Sequence, residues 1–138
     1  MRVDSYLNFD GRCEEAIEFY KKNLGAETNM LIRFKDSPDK SMPIQPGSEN
    51  KVLHCELQIG ESKIMASDCH CAEKAGFSGF SLSLTANDDA QAKKIFAALG
   101  ECNGGKVAQP LISTFFASSF GVVNDKFGVS WMIVVPTK

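Results

Sequence analysis

Apolar and polar residues alternate from Val3 to Phe9, with Leu7 and Phe9 on one side and Tyr6 and Asn8 on the other. Period two predicts a half-buried strand. Asp10-Gly11 ends it, and the period then changes. Cys13, Ala16, Ile17, Tyr20 and Leu24 form one stripe of a helix predicted from about 12 to 24. Glu14, Glu15 and Glu18 come early and Lys21 and Lys22 late, which suits the helix dipole, and Gly25 is a natural stop. Further strands are predicted over 28–34, 51–59 and 62–67. The second of these, 51–59, is the clearest, because Leu53, Cys55, Leu57 and Ile59 alternate with Val52, His54, Glu56 and Gln58. The intervening stretch 35–50 carries Pro38, Pro43, Pro46 and Gly47 and is predicted as a long loop, functional or mobile.

The order then repeats. A strand over 77–85 sets Phe80, Leu82 and Leu84 against Ser81, Ser83 and Thr85. Asn87 or Asp88 can cap a helix whose stripe is Ala92, Ile95, Phe96 and Leu99, with Asp88 and Gln91 as a loose capping box and Gly100 as the stop. Strands follow over 106–111, 114–123 and 129–135, with turns at Gly104-Gly105 and at 124–128. Gly104-Gly105 lacks the lysine and helix start of a phosphate cradle. Each half therefore reads β-α-β-β-β, a repeat of order and not of letters. The expected organisation is a single domain over 1–138, with a first module over about 1–68, a linker over about 69–76 and a second module over about 77–138.

In each half the helix needs one apolar sheet face to cover, which leaves the other face free. That free face carries Tyr6, Asn8, His54, Glu56, Ser81, Ser83 and Thr85. It is unusually polar for a core, as the wall of a ligand cleft would be.

Composition narrows the function classes. A chain of 138 residues can bury a core without disulfides or a structural metal. A net charge of -2 with no basic run gives no footprint for nucleic acid or an anionic membrane. No stretch approaches the roughly 20 apolar residues of a membrane span. The N-terminus lacks the features of a signal peptide, so the expected location is cytoplasmic. Five cysteines, Cys13, Cys55, Cys69, Cys71 and Cys102, then read as reduced thiols and not as a disulfide framework.

Several segments together resemble the vicinal-oxygen-chelate superfamily of glyoxalase I, bleomycin-resistance proteins and extradiol dioxygenases, and within it the PhnB-like branch, also labelled demethylubiquinone methyltransferase-like. They are Tyr6-Leu7-Asn8-Phe9-Asp10-Gly11, the helix end Phe19-Tyr20-Lys21-Lys22-Asn23-Leu24-Gly25-Ala26, Val52-Leu53-His54-Cys55-Glu56-Leu57, Ile64-Met65-Ala66-Ser67-Asp68, Thr114 to Gly121 and Asp125 to Met132. The resemblance implies an α+β fold of two βαβββ modules with curved mixed sheets, helices on the outer faces, and a homodimer. Metal-dependent members place a His, Glu or Gln on each of four inner strands. Here those positions fall at Asp4 or Ser5, at Met65 or Ser67, at Ser81 and at Met132. Only Asp4 suits a hard or borderline divalent ion, so neither a metal nor another cofactor is expected. A methyl-donor cofactor also lacks its glycine-rich strand-to-helix turn.

The leading expectation is a metal-independent small-molecule binding protein. Tyr6, Asn8, His54 and Glu56 would give polar contacts, and Phe115, Phe116 and Trp131 apolar ones. Two alternatives accompany it: a metal-dependent glyoxalase-like lyase or dioxygenase-like enzyme, and a drug-sequestering protein of the resistance type. His54 reads either as a base or ligand donor, or as a hydrogen-bonded interior or dimer-contact histidine. Phe115, Phe116, Phe120, Phe127 and Trp131 read as a ligand wall or as core and dimer filling. Cys69-His70-Cys71 has one-residue spacing and no second pair, which fits a linker better than a zinc site.

Overall fold

The computed structural model describes residues 1–39, 44, 46–68 and 76–137. Linker residues 69–75 with their Cys69-His70-Cys71 motif, and residues 40–43 and 45 of the proline-rich stretch, lie outside the described residues. The chain divides into two compact units, Met1–Ala75 and Gly76–Lys138. No helix among the described residues is long and apolar enough to cross a membrane.

In the first unit β1 (Ser5–Asn8) leads into α1 (Cys13–Leu24), and β2 (Glu27–Arg33), β3 (Val52–Ile59) and β4 (Ser62–Ser67) follow. The strand order is β1-β4-β3-β2. β1 runs parallel to β4, and β3 pairs antiparallel with both β4 and β2. The helix stripe Cys13, Ala16, Ile17 and Tyr20 is buried with Leu7, Phe9, Cys55, Leu57, Ile64 and Ala66, all on one sheet face. Gly25 closes α1 in the left-handed region at φ 68°, its N–H donating to the Tyr20 carbonyl. Arg12, just before the helix, offers no capping side chain. The cap comes instead from beyond β4, where the buried Asp68 carboxylate accepts the backbone N–H groups of Gly11 at 2.7 Å and Cys13 at 2.9 Å through one oxygen, and of Val52 at 3.1 Å through the other.

The second unit repeats the plan with β5 (Leu82–Thr85), α2 (Asp89–Phe96), β6 (Lys106–Ile112), β7 (Ala117–Asn124) and β8 (Ser130–Pro136), in the order β5-β8-β7-β6. This is the α+β fold of paired βαβββ units with open, curved mixed sheets. Asp88 caps α2 by accepting the Gln91 N–H at 2.7 Å, and the Gln91 side chain reaches back to the Asn87 N–H at 2.6 Å.

Three boundaries differ from the sequence reading by three residues or more, each for a local reason. The strand expected from Phe77 begins at Leu82, after Gly79 turns with φ 86°. Gly100 does not stop α2. The helix ends at Phe96 and passes into a π-helical turn, Ala97–Glu101, in which Cys102 N–H reaches the Ala97 carbonyl. Gly100 is there because a side chain would strike Val123. The strand expected from Thr114 starts at Ala117, because the Thr114 hydroxyl accepts the N–H groups of Phe116 and Ala117 and makes a corner first.

Candidate functional site

On the helix-free face of the first sheet, strand alternation brings Tyr6 and Asn8 of β1, Met65 and Ser67 of β4, and His54 and Glu56 of β3 to the same side. The Tyr6 hydroxyl lies 2.9 Å from His54 Nδ1, and the two rings stack with centroids 5.6 Å apart and planes 29° apart. Partial burial raises the Tyr6 pKa above its ordinary value, against the opposing hydrogen bond from Ser67. The phenol therefore keeps its proton, and either it or the imidazole Nδ1 is the donor of the bond between them, according to the tautomer of His54. Glu56 is oriented by the Asn29 side-chain amide at 3.1 Å, with Lys63 Nζ at 3.9 Å. Asn8 is half-buried and its Oδ1 is covered, with no partner among the described residues. This face can thus present a held imidazole beside a carboxylate.

The aromatic residues divide. Trp131 is 2% exposed, on the helix-covered face of the second sheet, and its indole N–H donates to Asp125 at 2.9 Å. The apolar ligand contact expected of it gives way to a core role. Phe115 and Phe116 do the opposite. They stand 95% and 44% exposed at the corner before β7, so they are not core filling. Phe115, Phe116 and Phe120 form an edge-to-face ladder with centroid spacings of 5.2 and 5.4 Å. On the free face of the second sheet, Ser81 and Ser130 share a hydrogen bond of 2.6 Å, and Ser83 lies in register with Met132. Two open polar depressions lie elsewhere. One, of about 420 Å³, is lined by Arg2, Asp4, Glu61 and Lys63 among others; the other, of about 480 Å³, includes Ser78, Lys106 and Lys126.

Sequence reasoning singled out Ser67 only as an alternative metal position and Asp68 within a family motif. The structure gives them other roles, Ser67 as a buried hydroxyl bonded to Tyr6 and Asp68 as the carboxylate that holds the ends of β3 and α1 together. Sequence reasoning missed Asp89, whose carboxylate accepts from the hydroxyls of Ser118 and Ser119, both at 2.7 Å, which hold its pKa below the ordinary value.

The residues do not fit the divalent ion of metal-dependent superfamily members. Met65 and Met132 offer only thioethers. Asp4 is paired with Arg2 at 3.0 Å. Among the described residues no three His, Cys, Asp or Glu side chains converge. A methyl-donor cofactor fits no better at the β1–α1 turn, where Asp68 already takes the Gly11 and Cys13 N–H groups that an anionic cofactor group would need.

Two βαβββ units, each with a mixed four-stranded sheet and one covering helix, define a protein of the glyoxalase/bleomycin-resistance-like fold. The sequence pattern of the family described as 3-demethylubiquinone-9 3-methyltransferase matches residues 2–134, and the chain belongs to that PhnB-like family. It is 37% identical over 145 residues to protein YjdN of Escherichia coli K12, covering 98% of this chain and 95% of that one. Protein PA1353 of Pseudomonas aeruginosa is similar in structure, with 37% identity, a TM-score of 0.86 and coverage of 100% of this chain and 99% of that one. The PhnB protein of Bacillus cereus shares 26% identity at a TM-score of 0.78, over 98% of this chain and 99% of the other.

Proposed function

We propose that this PhnB-like protein binds a small organic molecule on the helix-free face of its first sheet, with no metal in the contact set. The observation that carries this reading is the Tyr6–His54 pair. Two rings stacked and hydrogen-bonded on a partly open face, beside an oriented Glu56, form a rigid polar display that the core does not require. A hydrogen-bond acceptor on the ligand, such as a carbonyl or carboxylate oxygen, suits the His54 ring in the tautomer that carries its proton on Nε2, and a donor suits Glu56. Asn8 is a further polar contact. Phe115 and Phe116 are candidate apolar contacts on the surface of their own unit.

The test is a screen of small carbonyl and carboxylate compounds against the isotopically labelled chain by NMR. The expected outcome is a saturable shift at Tyr6, His54 and Glu56 that His54→Ala removes while the rest of the spectrum stays folded. A screen in which no compound moves these three residues overturns the reading. The family resemblance also supports a homodimer. Sedimentation of the purified chain at a monomer's mass across all concentrations would remove the dimer.

A further inference from the structure

Cys13 is the first residue of α1, and Cys55 lies within β3 on the face that α1 covers. Both are fully buried, and their sulfur atoms are 3.8 Å apart. A disulfide requires about 2.05 Å between sulfurs. The sulfurs must therefore close by about 1.8 Å from their present 3.8 Å. The two thiols share a hydrogen bond in which either sulfur can be the donor, so the bond can steady one as a thiolate while the other keeps the proton; in the oxidation to a disulfide, Cys55 is taken as the thiolate.

We propose that Cys13 and Cys55 are a redox-active dithiol, which a small hydroperoxide converts into a disulfide that ties the start of α1 to β3. The Cys55 thiolate attacks one peroxide oxygen, breaking the O–O bond. Cys55 becomes a sulfenic acid, and the hydroxide released takes the Cys13 proton to form water. The Cys13 sulfur then attacks the Cys55 sulfur, the S–S bond forms, and the second oxygen leaves as hydroxide, which takes up a proton to give a second water. In sum, two thiols lose two electrons and two protons, and one hydrogen peroxide becomes two waters. The bond would act on the polar display, because Cys55 stands between His54 and Glu56 on β3.

The reduced, full-length chain is treated with hydrogen peroxide, alkylated under denaturing conditions and digested with trypsin. Cleavage after Arg12 and Lys51 puts the two cysteines on separate peptides, Cys13–Lys21 and Val52–Lys63. The expected result is loss of both free thiols and appearance of these two peptides joined, two hydrogens lighter than their sum and separated again by dithiothreitol. Cys102 is exposed and serves as the internal control. Cys55→Ser should abolish the joined species and leave Cys13 open to alkylation. Recovery of Cys13 and Cys55 as free thiols under conditions that oxidise Cys102 overturns the proposal. So does preferential pairing of either with another cysteine. The wild-type digest decides the matter even if the variant fails to fold.

Discussion

Asp68 shows how much one side chain can organise. Its carboxylate is buried, and it accepts three backbone N–H groups from two segments that are far apart in sequence. Charge-assisted bonds of this kind are stronger than neutral ones, and removing the acceptor strands buried donors. Asp68→Ala is expected to destabilise the protein by about 3 kcal/mol, read as a lower midpoint in urea with an unchanged slope. A loss under about 1 kcal/mol would mean that water replaces the carboxylate easily. At the same scale, the free-face pattern of Tyr6, Asn8, His54 and Glu56 was legible, because alternation along a strand settles which side each residue takes. The hydrogen bond between Tyr6 and His54 was not legible. It depends on β1 lying beside β4, and β4 beside β3, which no local spacing announces.

Elements were read correctly in type and less well at their ends. α2 illustrates why. Its start carries a local signal, the Asp88–Gln91 capping pair, and the structure uses it. Its end has a glycine whose meaning is ambiguous in sequence, since a glycine can be a helix stop or a point of close packing. Gly100 is the second kind, pressed against Val123. Gly105 is similar, because a Cβ there would collide with the carbonyl oxygens of Leu99 and Asn124. Since backbone cannot yield as a side chain can, Gly105→Ala is expected to cost about 2 kcal/mol, measured by thermal or urea unfolding. The tie between α2 and β7 adds a pH prediction. The Ser119 and Ser118 hydroxyls hold the Asp89 pKa below its ordinary value. A depressed folded-state pKa means a stabilising contribution that is complete above the unfolded pKa, about 3.9, and lost as pH falls through the folded value. Ser119→Ala should therefore raise the Asp89 titration midpoint seen by carbon NMR and shrink the acid-side loss of stability. An unmoved midpoint would show that these hydroxyls do not hold the charge.

At the scale of the molecule, the two units share one strand plan, with the first strand parallel to the last and at the edge of its sheet. The central strands are β3 and β4 in one unit and β7 and β8 in the other. Hydrogen exchange should accordingly find two separate sets of slow amides, centred on these pairs, with faster exchange in β2 and β6, where register shifts interrupt the ladders. One continuous slow core led by β2 or β6 would contradict the strand order.

Period-two and period-3.6 patterns, with the turn residues between them, were enough to read the eight strands and two α-helices of the described residues and their duplicated order, because those periods follow from backbone geometry that every residue shares. They also separated the covered face of each sheet from the free one. Tertiary structure alone decided that Trp131 is core while Phe115 is bare, that Asp68 caps a helix it follows by more than 40 residues, and that Cys13 meets Cys55. Each of these depends on which distant segments come side by side, and that is set by the packing of whole elements, of which no short stretch of chain carries a record.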